Sequence, residues 1–231
     1  MVFPSVMTWV YFVAVADKGT GQNTAVMAGY GLGKFIQFAF PALYVAWTAR
    51  QLLRPARPNR QGLAAGMGFG LAVGLAALAL YFFALKHSRL LHDTPQKVYE
   101  KLQQLGCDSI AGFIVIATFI SLFHSLLEEY YWRWFVFGWW KRYLRPRPAG
   151  VLSSLGFMAH HVIVLAVYFP GVQKFFTMVV PFSLGVAIGG GVWCWLYQRT
   201  GSLYAAWISH ALIDCAIMLI GLDMVADRFA S

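Results

Sequence analysis

Seven apolar stretches, at residues 2–16, 27–49, 62–85, 109–140, 149–169, 175–197 and 202–221, take up most of this 231-residue chain. A helix needs about 20 apolar residues to cross the hydrocarbon core of a bilayer. Backbone polar groups must be bonded internally there, so stretches of this kind form helices. A water-soluble core cannot hide them all. The chain is 59% hydrophobic and 12% charged, where a soluble domain is about half apolar and a quarter charged. The expectation is an all-α protein: a polytopic transmembrane helix bundle of about seven spanning helices.

The first stretch, Met1–Ala16, has no basic leading segment and no small-residue cleavage site. It therefore reads as a short first span rather than a signal peptide. The net charge is +9, but most Lys and Arg fall in short segments joining the apolar runs. That pattern fits topogenic charge beside anionic lipid, not a nucleic-acid surface. Two linkers are basic and free of acids: residues 50–60, with Arg50, Arg54, Arg57 and Arg60, and residues 141–147, with Lys141, Arg142, Arg145 and Arg147. Two spans separate them, so both can lie on the cytoplasmic side with the N-terminus inside and the C-terminus outside. The longest polar stretch, Lys86 to Asp108, contains a Thr94-Pro95 helix start, with Val98, Leu102 and Leu105 on one face. It reads as an interfacial helix and connector on the outer side.

Gly62, Gly66, Gly70 and Gly74 recur every four residues and form one ridge, which lets another helix come close. The run Gly189, Gly190, Gly191 weakens a helix and suggests either a kink or a close backbone contact. Cys107, Cys194 and Cys215 show no paired or zinc-binding spacing.

The ionisable residues inside apolar stretches are Lys34, His124, Glu128, Glu129, Arg133, His160, His161, His210 and Asp214. Each is expensive in lipid and needs a partner or a function. Arg133 follows Glu129 by four residues, on the same helix face, so these two form the natural ion pair. Glu128 points about 100° away from Glu129 around the helix and is left to face something else. His124 lies four residues before Glu128, on its face, either as polar packing or as a partner that tunes the acid. His160 and His161 diverge by about 100°, so one of them faces a given site. His210 and Asp214 share a face. Glu128, His161, His210 and Asp214 all fall about 8–12 residues from the cytoplasmic ends of their helices, which at 1.5 Å per residue is about 12–18 Å deep. Acid and imidazole on separate helices at one depth imply a shared polar site.

These residues resemble the three motifs of the CAAX-protease and bacteriocin-processing (CPBP, or Abi) family of intramembrane proteases. EExxxR is matched by Glu128, Glu129 and Arg133, FxxxH by Phe157 and His161, and HxxxN or HxxxD by His210 and Asp214. The resemblance covers residues 120–220 and implies an intramembrane endopeptidase acting on a membrane-associated protein or peptide. The organisation expected is residues 1–108 as N-terminal spans with the outer connector, 109–221 as the catalytic membrane core and 222–231 as a tail. The resemblance makes Glu128 and His161 the activators of water. His210 and Asp214 flank the scissile carbonyl, and Glu129 with Arg133 supports the helix. His124 and His160 remain supporting candidates.

Peptide hydrolysis needs a base for water, a proton donor for the amine and a stabiliser for the oxyanion, and acids with imidazoles supply these without a serine or cysteine. Asn donates a hydrogen bond to an oxyanion, whereas ionised Asp cannot. Asp214 must therefore be protonated, orient His210 or ligate a metal. No cofactor is favoured. If a metal is used it is zinc, held by Glu128, His161, His210 and Asp214. The expected location is the plasma (inner) membrane, with the active-site opening on the cytoplasmic side. Buried acids and histidines also serve proton relays. The alternative is thus a non-catalytic membrane protein: a scaffold, an immunity-type partner or a proton-coupled carrier. No inverted repeat favours a carrier.

Overall fold

The computed structural model describes residues 1–14, 24–48 and 56–229, with side chains except at 14 and 24–27. Arg50 and Arg54 of the first basic linker lie outside the described residues, as do the ends of the first two expected spans, residues 15–16 and 49. The described residues form helices joined by short connections and contain no strand. In chain order the helices are α1 (Phe3–Trp9, running into a π turn at Val10–Ala14), α2 (Thr24–Thr48), α3 (Arg60–Leu85), α4 (Thr94–Gln104), α5 (Ile110–Trp140), α6 (Pro146–Tyr168), α7 (Val172–Thr200) and α8 (Leu203–Phe229).

Five of these, α3 and α5 to α8, combine the length and apolarity of a membrane span, and the all-α polytopic bundle holds. The other two expected spans are described only in part. In α1 the described apolar helix is Phe3–Val13. Asp17 and Lys18 end its apolar run. Helix α2 has 25 residues and is long enough, but Lys34 and Gln37 interrupt its apolarity. The Lys34 ammonium lies over the rings of Tyr30 and Phe38, at 5.6 and 5.9 Å from their centroids.

Contacts divide the chain into two compact units. One comprises Met1–Arg57 and Glu129–Leu203, the other Pro58–Glu128 and Tyr204–Ser231. The polypeptide passes from one to the other at the bond joining Glu128 to Glu129.

In the first unit, α6 packs along α7 and α1 packs on α6. Pro146 opens α6 at a position where its missing N–H costs nothing. Helix α7 runs unbroken through its three glycines and ends at Gly201, whose φ of 64° is the left-handed conformation of a helix stop. Both basic linkers meet this end of α7. The Ala56 N–H donates to the Gly201 carbonyl at 2.7 Å, and Lys141 Nζ donates to Gln198 Oε1 at 2.9 Å. Met1 is at the same end, its sulfur 3.3 Å from Trp140 Nε1.

In the second unit, Asn59 starts α3 by accepting the Gly62 N–H at 2.7 Å. The glycine ridge is buried along its whole length, at Gly62, Gly66, Gly70 and Gly74. It seats α8: a Cβ on Gly66 would lie 2.1 Å from the Ala205 carbonyl oxygen, one on Gly70 2.8 Å from that of Ser209, and one on Gly74 3.3 Å from Ala216 Cβ. At the far end Tyr81 and Lys86 bond the Asp223 carboxylate at 2.7 and 2.8 Å. The connector helix α4 starts one residue earlier than expected, with Asp93 as its flanking residue and Pro95 in the first turn. Leu102 of α4 joins Phe113 and Val225 in a buried cluster with Val98 against it.

The ridge makes a sharp contrast testable. Gly66→Ala forces a methyl group into backbone and should destabilise the protein by about 1–3 kcal/mol. Gly68→Ala, on the same helix with nothing within 4 Å of its added Cβ, should be neutral or stabilise by up to about 1 kcal/mol. Thermal unfolding of both variants in detergent, followed by circular dichroism, checks the difference in sign.

Candidate active site

Helix α5 carries both glutamates and is not a uniform α-helix. A π segment at Phe119–His124 precedes the α turn Ser125–Glu129, and a second π segment, Tyr130–Phe137, follows it. Such wide turns frequently mark functional sites and release carbonyls from the regular ladder. Here those groups are met by side chains. Trp207 Nε1 of α8 donates to the Leu122 carbonyl at 2.9 Å, and Ser125 Oγ donates to the Ser121 carbonyl at 2.5 Å.

In the first unit, Arg133 Nη1 lies 3.0 Å from Glu129 Oε1, and both side chains are fully buried. This is the pair that the spacing implied. The sequence did not disclose its cage. The guanidinium carbon is 4.6 Å from the Phe157 ring centroid and 4.8 Å from that of Trp193, a cation–π arrangement in a desolvated place. Gly190 makes room for it, since a Cβ there would lie 3.2 Å from Arg133 Nη2. Close approach, not a kink, accounts for at least this glycine of the triplet.

The two adjacent histidines of α6 differ in surroundings. His160 is buried and stacks on Trp132, with 5.9 Å from centroid to centroid and 5° from plane to plane. Trp132 is held by Ser153, whose Oγ donates to the Trp132 carbonyl at 2.9 Å. His161 Nδ1 lies 3.0 Å from the Phe157 carbonyl. A carbonyl only accepts, so Nδ1 carries the proton, and in the neutral ring Nε2 is the basic nitrogen. Phe157 therefore does more than fill space: its ring covers Arg133 and its carbonyl fixes the tautomer of His161.

In the second unit, Glu128 is 5% exposed and His210 4%. His124 Nε2 approaches Glu128 Oε1 at 3.4 Å, and His210 Nε2 approaches Oε2 at 3.7 Å. His210 Nε2 is also 3.6 Å from Asp214 Oδ2. Glu128, which the spacing leaves to face something other than Arg133, has imidazoles as neighbours. All three distances are longer than an ordinary direct hydrogen bond, which leaves the groups able to tighten when a substrate arrives. Carboxylate oxygens and imidazole nitrogens exchange protons, and they are also the ligand types that zinc accepts.

Each glutamate of the dipeptide thus has its own surroundings. Glu129 pairs with Arg133 in one unit, and Glu128 sits with His124, His210 and Asp214 in the other. The side chains that sequence reasoning missed are Trp132, Trp193 and Trp207. The available signal for Trp207 was an indole N–H in an apolar span three residues before His210, since a buried indole usually finds an acceptor.

Residues 110–216 match the family model of the type II CAAX prenyl endopeptidase Rce1-like proteins, which bears out the CPBP resemblance. The matched segment contains every motif residue from Glu128 to Asp214. Neither the curated proteins nor the solved structures gave a match.

The caged pair gives a stability prediction. Arg133→Leu leaves the Glu129 carboxylate buried without its partner and should cost about 3–5 kcal/mol. The double variant Glu129→Leu with Arg133→Leu removes both charges and should recover much of that loss. Unfolding of both in detergent checks it, and a double variant no more stable than Arg133→Leu would contradict the pairing.

Proposed function

From the family match over residues 110–216, we propose that this chain is an intramembrane endopeptidase that hydrolyses peptide bonds of a membrane-associated protein or peptide. The observation that carries this reading is the buried Glu128 carboxylate beside His210, with Asp214 one turn further on.

In the proposed reaction Glu128 takes a proton from water as the oxygen attacks the scissile carbonyl carbon. His161 holds the same water through its basic Nε2. The carbonyl π electrons move to oxygen, and an N–H of His210 stabilises that oxyanion. As the C–N bond breaks, the proton taken by Glu128 passes to the leaving amine nitrogen. Asp214 orients His210, which gives the carboxylate a task although Asn is the commoner residue at this motif position. Glu129 and Arg133 stay outside the chemistry and hold α5. The groups supply base, acid and oxyanion donor themselves, so we favour a glutamate-type reaction without metal. If zinc is used, Glu128, His161, His210 and Asp214 would hold it, and it would polarise the carbonyl.

The two basic linkers lie at one end of α7 together with Met1. The positive-inside rule makes that end cytoplasmic, with the active-site opening on the same side. The expected location is the plasma (inner) membrane.

The test is cleavage by purified protein in proteoliposomes of two peptides: one ending in a prenylated C-a-a-X tetrapeptide and one apolar and unprenylated. Glu128→Ala and His161→Ala should each lower turnover by about 10²- to 10⁴-fold. Undiminished cleavage by both variants would overturn the site assignment. Chelator-washed protein should stay active with no zinc by elemental analysis, whereas loss restored by added zinc would favour the metal-assisted form.

A further inference from the structure

One side chain at Glu128 lies outside all three motifs. His124 is one turn before EExxxR, and its Nε2 approaches one carboxylate oxygen of Glu128 while His210 approaches the other, at 3.4 and 3.7 Å. The terminal torsion of a glutamate is broad and by itself fixes no carboxylate plane. An imidazole stands beside each oxygen, with His124 the nearer of the two. A carboxylate only accepts, so the His124 nitrogen that faces it binds it only when it carries a proton.

The backbone around His124 is arranged for this contact. His124 closes the π segment Phe119–His124, which shifts the direction of the side chain relative to a regular α-helix. That segment is pinned from two sides. Trp207 of α8 bonds the Leu122 carbonyl, and Ser125 bonds the carbonyls of Ser121 and Leu122 at 2.5 and 3.3 Å. Since Trp207 is one turn from His210, the same helix sets both imidazole contacts to Glu128. The side chain of His124 is 29% exposed and that of Glu128 7%. A histidine kept only to fill space would have no reason to turn a ring nitrogen toward the acid.

We propose that His124 is a positioning residue for hydrolysis, holding the Glu128 carboxylate in the plane from which it takes the proton of water. This rests on the reading of Glu128 as the group that activates water.

The experiment compares wild type, E128Q, H124F and H124Q in proteoliposomes with the prenylated and unprenylated peptides named above. Melting temperatures are measured on the same preparations. Misplacing a reacting group by about 1 Å costs on the order of a hundredfold. H124F, which keeps the ring shape without a donor, should therefore lower kcat by about ten- to a hundredfold with KM and melting temperature unchanged. H124Q, which restores an N–H donor, should recover most of the loss. H124F turning over like wild type overturns the proposal. So does a loss of kcat that follows the melting temperature equally in H124F and H124Q, which would make His124 a packing residue. Wild-type cleavage by E128Q would instead overturn the parent reading, and this inference with it.

Discussion

A buried charge in an apolar bundle must be neutralised within reach of its own side chain, and the Glu129–Arg133 pair is where this chain meets that demand. The two side chains lie 3.0 Å apart and are fully buried. Three helices contribute: α5 supplies the ions, α6 the Phe157 ring, and α7 both Trp193 and the glycine that clears space. The Phe157 and Trp193 rings beside the guanidinium offset part of the cost of desolvating the two ions, an environment that Lys could not share equally because its ammonium is compact and strongly hydrated. Phe157 couples this cage to His161 through its carbonyl, so the electrostatic support and a proposed catalytic group depend on one residue.

On the other side of the dipeptide the organising device is steric. The ridge of α3 lets α8 approach until only a hydrogen atom fits at Gly66 and Gly70. That approach fixes the height of Ser209 and with it the neighbouring His210, while Trp207 ties α8 to the π segment of α5. Small residues in place of a hydrophobic drive are what close helix packing in lipid requires. Stability and site geometry are joined here: the contact that seats α8 also directs the imidazole toward Glu128.

The sequence disclosed those features that depend on spacing along one helix. The four-residue intervals of Glu129 with Arg133, of His124 with Glu128, of His210 with Asp214 and of the glycine ridge all correspond to contacts or faces in the structure. Long uninterrupted apolar runs marked α3 and α5 to α8 as spans. Features that depend on a second helix, or on departures from regular winding, were not legible. The π segments of α5 leave no compositional trace, because Phe, Leu, Tyr and Trp fill them as they would an ordinary span. The aromatic cage requires knowing that α6 and α7 bring Phe157 and Trp193 to Arg133.

The central claim is that two adjacent glutamates, one peptide bond apart, serve different ends: Glu129 the fold, Glu128 the reaction. The direct measurement is a paired comparison of Glu128→Gln and Glu129→Gln, recording folded yield in detergent and peptide turnover per folded molecule. Glu129→Gln should lower folded yield and melting temperature, and its surviving molecules should still cleave. Glu128→Gln should fold like wild type and not cleave. Equal loss of folded protein in both variants, or cleavage by folded Glu128→Gln at the wild-type rate, would contradict this division of roles.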